Sequence, residues 1–128
     1  MTNQDICNAA TYLCGEIPAN ATDYAARAVP ALALIYNDCA ALDTAYRKSH
    51  DLPDSTWVNS AAVNMADLFP LADVFVSAVT YALGSMVVVD ENAELSNLLY
   101  ARFVADLDEI RRMIPAVPEP IADHYHLF

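Results

Sequence analysis

Two groups of carboxylates come closest to the types and spacing that acid–base chemistry needs: Asp90, Glu91 and Glu94, and Asp106, Asp108 and Glu109. A pair acting as acid and base needs environments that push the two protonation states apart. Acids gathered at helix ends and along a polar face are ordinarily solvated, so the sequence assigns no catalytic carboxylate here. His124 and His126 alternate, and alternate residues of an extended segment share a face, so with Asp123 they have the types of a metal site. Placed among Tyr125, Leu127 and Phe128 at a chain end, they read instead as part of an aromatic tail that docks. Cys7, Cys14 and Cys39 show no metal-ligand clustering, and Cys7 and Cys14, seven apart, share one helix face. A thiol nucleophile needs a basic partner, and nothing places His50 beside a cysteine. The three are expected to be small core residues, a Cys14–Cys39 disulfide staying open. With glycine only at positions 15 and 84, no glycine-rich phosphate loop exists. The expectation is therefore no catalytic residue, no cofactor-binding residue and no metal.

Composition narrows the class further. A chain of 128 residues with 56% hydrophobic content is long enough for one domain with a real core, which excludes a disordered acidic tail. Seventeen acids against six Lys and Arg give a formal charge of -11, a potential set against phosphate. Binding to nucleic acid by a basic patch is not expected on that ground. Three readings of the acidity stand: a surface that DNA slides past without sticking, a mimic of DNA, and the plainest, a solvated acidic face that keeps a very apolar domain in solution. The first residues, Met1 to Asp5, lack the positive and apolar regions of a secretory signal, so synthesis in a reducing, intracellular compartment is expected. Residues 74 to 89 carry no charge, yet they fall short of a bilayer span and are flanked by acids, so they predict a core helix and no membrane anchor.

The elements that must position these residues read as helices. Asn3 to Cys14 predicts a first helix with Thr2 as N-cap and Asp5 as its reciprocal partner, ending at Gly15. Thr22 or Asp23 then caps a long helix to Ser49, kinked or divided at Pro30, with Ala28, Leu32, Ile35, Cys39, Leu42 and Tyr46 as its buried stripe. Its opposite, polar face is expected to carry Asn37, Asp43 and Arg47. Residues 50–69 are irregular, and Trp57 to Leu68 is compatible with a short helix, a hairpin or an ordered loop. Pro70 opens the third helix, buried nearly all round to about Val89. Asp90 or Asn92 caps the fourth, whose stripe is Leu95, Leu99, Phe103, Leu107, Ile110 and Ile114. Glu91 and Glu94 sit beside its positive end, and Arg102–Asp106 and Asp108–Arg112 are spaced for ion pairs. The fold class predicted is all-α: a small helical bundle over residues 1–113 with an antiparallel C-terminal helix pair and an irregular middle. Residues 114–128 form an extended Pro-rich arm, with Pro118, Pro120, Tyr125, Leu127 and Phe128 as candidate partner contacts.

Several segments together carry a resemblance: Tyr24-Ala25-Ala26-Arg27-Ala28-Val29-Pro30 through Tyr36-Asn37-Asp38-Cys39, Pro70-Leu71-x-Asp73, Tyr81-Ala82-Leu83-Gly84, Asp90-Glu91 and Tyr100-Ala101-Arg102-Phe103. In this pattern of apolar helices, a buried proline and an acidic corner, the chain resembles small helical head-tail connector (adaptor) proteins of tailed phages and prophages over roughly residues 22–113. The first helix, the segment around Trp57 and the arm lie outside the resemblance. The family contributes no catalytic residues. The resemblance implies a ring, commonly of about twelve copies, at the head-tail junction of a virion after synthesis in the bacterial cytoplasm. Its partners would be other copies, the portal and neighbouring joining proteins, with DNA as a passenger that does not stick. The alternatives are an acidic DNA mimic or other protein-interaction module, for which the scattered acids form no phosphate-like row, and a helical-bundle enzyme or ligand binder, for which few polar groups converge.

Overall fold

The computed structural model describes residues 1–115 of the chain, and among them are four α-helices and no strand. Helix α1 spans Asn3–Leu13, α2 Thr22–Ser49, α3 Val76–Val88 and α4 Ala93–Arg112, with short 3-10 turns at Pro18–Asn20 and Asp73–Phe75. The fold is all-α, as predicted. No helix of the described residues is long and apolar enough to cross a membrane.

Helix α1 begins as its sequence dictates. The Asp5 amide donates to Thr2 Oγ1 at 3.2 Å, and the Thr2 amide donates to Asp5 Oδ2 at 2.8 Å, closing a capping box. The Thr2 amide and hydroxyl both favour the charged carboxylate and hold Asp5 below its ordinary value. Two further amides of this turn find carbonyls from far along the chain, Asn3 to Asp67 and Gln4 to Met65.

Helix α2 runs unbroken past Pro30. A proline there removes the bond to the carbonyl four residues back. Both Ala26 and Pro30 lie on the exposed side, where water can serve the orphaned carbonyl. The expectation of a buried proline is corrected on this point, and so is that of a helix in two pieces. The predicted stripe holds: Ala28, Leu32, Ile35 and Cys39 are buried, and Leu42 and Tyr46 pack against them half-buried.

Helix α3 is the axis of the bundle. Ala78, Val79, Ala82, Leu83, Val87 and Val88 are buried together with Thr80, Gly84 and Ser85, and α1, α2 and α4 all pack on it. An added Cβ at Gly84 would stand 3.1 Å from Leu99 Cδ1 and 3.7 Å from the Ala10 carbonyl, so the missing side chain lets two helices close on one point. Asn92 caps α4, its Oδ1 accepting from the Leu95 amide at 3.0 Å. Ser85 meets Ser96, Tyr81 lies under Arg102, and Ser77 shares a groove with Asp106 and Ile110. The rungs run in opposite directions along the two helices, which is the antiparallel pair that was predicted. The two serines satisfy each other in the interior, each hydroxyl donating to the other's backbone carbonyl at 2.8–2.9 Å.

The middle segment is an ordered loop, one of the three forms its sequence allowed. Its anchor is Asp43, which is fully buried. One carboxylate oxygen accepts from the Ala72 amide at 2.8 Å, and the other accepts from Arg47 Nε at 2.9 Å. The Arg47 guanidinium then donates to the Pro53 carbonyl at 2.8 Å and the Pro70 carbonyl at 3.2 Å. The placement of Asp43 and Arg47 on an open polar face is thereby corrected. Asp43 lies four residues after Cys39 and seven after Tyr36, on the buried stripe itself, and Arg47 reaches back over it.

Removing one partner from such a buried, hydrogen-bonded ion pair costs about 3 kcal/mol or more. Asp43→Ala is expected to lower the unfolding free energy in urea, followed by Trp57 fluorescence, by about that amount, and Asp43→Asn by less, since its amide oxygen still accepts from Ala72. A loss below about 1 kcal/mol for Asp43→Ala would mark the pair as an ordinary surface bridge.

Candidate functional site

The acidic corner is built into the fold rather than left as a free cluster. Glu91 accepts the Tyr24 hydroxyl at 2.6 Å, and burial together with this bond raises the phenol well above its ordinary value. Arg27 donates to the Val87 carbonyl at 3.1 Å and stands 3.7 Å from Asp90, whose side chain is 83% exposed. That last pair is screened by water and contributes little, whereas the bond to the carbonyl fixes Arg27 on the end of α3. Glu94 stays exposed in the first turn of α4.

The second acidic group separates along α4. Asp108 takes Arg111 at 2.8 Å, three residues on, in place of the predicted Arg112. Arg102, predicted to pair with Asp106, lays its guanidinium 5.7 Å from the centre of the Tyr81 ring. The two corrections have separate causes: residues three and four apart are about equally near on a helix, so Asp108 takes Arg111, and the face of Tyr81 draws Arg102. Asp106 and Glu109 border a shallow groove of about 210 Å³ with Val74, Ser77, Tyr81 and Ile110. Burial first, and then the neighbouring Glu109 charge, push the Asp106 carboxyl up, while Arg102 pulls it down. Ser77 and Tyr81 bring hydroxyls to the same groove, and no histidine lines it among the described residues.

The thiols are core groups. Cys7 and Cys39 are buried, Cys14 is half-buried with its Sγ 3.4 Å from the Gly84 carbonyl, and none is joined in a disulfide. Burial raises all three: Cys7 upward, Cys14 to about 11 with Glu91 and Glu16 adding repulsion, and Cys39 to about 12 with Asp38 and Asp43 adding theirs. His50 stacks on Tyr46 at 4.1 Å, about three helical turns beyond Cys39.

A larger cleft of about 360 Å³ lies where the middle segment crosses the start of α1, lined by Asn3, Trp57, Asn64, Asp67, Leu68 and their neighbours. Asn3 and Trp57 on its walls are already committed to the fold, whereas the Thr56 hydroxyl and the Asp67 carboxylate that also line it are not. Asn3 Oδ1 accepts the Tyr36 hydroxyl at 2.7 Å, Asn3 Nδ2 donates to the Asn64 carbonyl at 2.9 Å, and Trp57 Nε1 donates to Asn37 Oδ1 at 3.1 Å. Tyr36, fully buried, meets Trp57 and Phe69 edge-on at 5.2 and 5.6 Å. This network was legible in part, since Asn3, Tyr36 and Asn37 are polar residues beside apolar stripes, but their partners come from a segment without periodicity.

Among the described residues no three His, Cys, Asp or Glu side chains gather as a metal site. Asp123, His124 and His126 lie outside the described residues, as do Pro118, Pro120, Tyr125, Leu127 and Phe128. The surface that is left for recognition is the outside of the bundle, where Leu98, Tyr100 and Val104 of α4 and Tyr12 and Ile17 near the end of α1 are exposed.

Since a thiol reacts as its thiolate, and raised values leave little thiolate at neutral pH, all three cysteines are expected to react with a disulfide reagent at pH 7.5 at least tenfold more slowly than free cysteine, and at its rate in urea. Rapid stoichiometric labelling of the folded chain would contradict the packing of Cys7, Cys14 and Cys39. Compared with protein-family models, with curated proteins and with solved structures, the chain finds no match.

Proposed function

We propose that the chain is a head-tail connector (adaptor) subunit of a tailed-phage or prophage particle, forming a ring below the portal through which DNA passes. The observation that carries this reading is that two of the segments on which the resemblance rests meet in space. Tyr24 and Arg27 of the long helix are bonded to Glu91 and to the Val87 carbonyl beside the Asp90-Glu91 corner. A long helix tied to an acidic helix corner is a mechanical unit, suited to holding a subunit rigid within a ring. The charge of -11 supports the same reading, because carboxylates along a channel repel passing phosphates and guide DNA without retaining it.

In this reading the chain is made in the bacterial cytoplasm and works at the head-tail junction of the virion. The proline-rich end serves as the joining arm: Pro118 and Pro120 limit the entropy lost on docking, and Tyr125, Leu127 and Phe128 enter a groove of a neighbouring subunit or particle protein. Burying each aromatic contributes roughly 1.5 to 3 kcal/mol.

Native mass spectrometry and negative-stain microscopy of the full chain, alone and mixed with a portal ring from the same gene cluster, test the proposal. The expected result is a closed ring seated on the portal, no retention of duplex DNA at physiological salt, and a marked weakening of that assembly when residues 114–128 are removed. A chain that stays apart from the portal but captures a DNA-binding protein and displaces its DNA would establish the mimic instead.

A further inference from the structure

Helix α4 turns Leu95, Leu99, Phe103 and Ile110 toward α3 and the core, which leaves its far side to solvent. That far side reads Glu94, Leu98, Ala101, Ala105, Asp108 and Arg112, all exposed. The spacing alternates fours and threes from end to end. Any helix face reads in such steps, so the spacing says only which residues a partner helix laid along this side as a seam would meet. Here the seam extends over about 27 Å of helix.

The middle of the seam is apolar and small. Leu98 is 56% exposed, Val104 at 40% lies off one edge of the seam, and the exposed Ala101 and Ala105 would let another backbone approach closely. The ends carry opposite charge, Glu94 at the start and Arg112 at the finish. Asp108 is already neutralised by Arg111, but neither Glu94 nor Arg112 has an ion-pair partner among the described residues. A surface ordered acid, apolar, base is complementary to itself only when reversed. A parallel copy would set Glu94 on Glu94, and a uniformly basic helix would meet Arg112.

We infer that the outer face of α4 pairs with the same face of a second copy in an antiparallel, two-fold contact, with Glu94 against Arg112 at both ends and Ala101 against Ala105 at the crossing. The axis crosses α4 at the level of residue 103, and each Leu98 covers the methylene groups of the other copy's Asp108–Arg111 pair. An isologous contact joins copies in twos and does not propagate round a ring, so it stands apart from the ring contact of the proposed function.

Sedimentation equilibrium and native mass spectrometry of the full chain test this with Glu94→Arg, Arg112→Glu and the double variant; all substitutions are at exposed positions, and circular dichroism melting checks the fold. Wild type is expected to assemble in even numbers. Each single reversal sets like charges at both ends and should weaken the pairing about tenfold or more, and the double reversal should restore it to within about threefold. Dimers insensitive to the reversals, or a double variant no better than the singles, would overturn the inference. A wild-type monomer would do so too, since residues 116–128 or a different protein would then cover the face. Rings unchanged by the reversals sink the α4 contact and leave the proposed function standing. Reversal-sensitive dimers that never join a portal do the opposite.

Discussion

A stretch of helix with no charged side chain must be covered on every side, and this one requirement organises the fold. Residues 74–89 offer solvent almost nothing to hydrate, and fully burying a Val, Leu or Phe contributes about 1.5 to 3 kcal/mol against leaving it wet. No single amphipathic helix can cover such a surface. Helices α1, α2 and α4 therefore take separate sides of α3, each spending its own apolar stripe on it, and the polar faces of all three turn outward. The acidity of the chain follows from the same geometry. With the interior given over to apolar residues, the acids among the described residues lie at the surface, and the exception is the one the fold uses there, Asp43 within the core.

Covering α3 leaves a second problem, the passage from the end of α2 back to the start of α3. Twenty-odd residues without regular structure would carry many unpaired backbone groups if they crossed the core unaided. They run along the surface and are tied at a few points: Arg47 and Asp43 at the far end, Tyr36, Asn37 and Asn3 in the middle, and the first amides of α1 beside Met65 and Asp67. Charge-assisted bonds are the stronger ones in this set, so the segment hangs chiefly from the Asp43–Arg47 pair.

What the sequence revealed and what it hid divide along the same line. The capping box of Thr2 and Asp5, the α2 stripe through Cys39, the burial of α3 nearly all round, with Ser77 and Met86 exposed, and the Asn92 cap, one of two residues offered for it, are local patterns, and each was readable. Asp43 was misread because a charge was assigned to solvent by its type, although its position four after Cys39 put it on the buried face. The partners of Arg102 and Arg111 turned on the Tyr81 ring and on a choice between adjacent helical neighbours, which spacing alone does not decide. The loop contacts of Trp57 and Asn64 join residues far apart in the chain with no repeating pattern, and nothing local announces them. Of the candidate chemistry, the core position of Cys7 and Cys39 was legible from their places on the helix faces.

Whether α3 is the enclosed axis of the bundle is best tested by hydrogen exchange of the full chain read by mass spectrometry. Amides within residues 76–88 are expected to exchange last, through global unfolding alone, with protection that matches the unfolding free energy from urea, while residues 50–69 exchange far sooner. Exchange of the α3 amides within minutes, on the same scale as that loop, would show a helix open to water on at least one side and would contradict the fold as described.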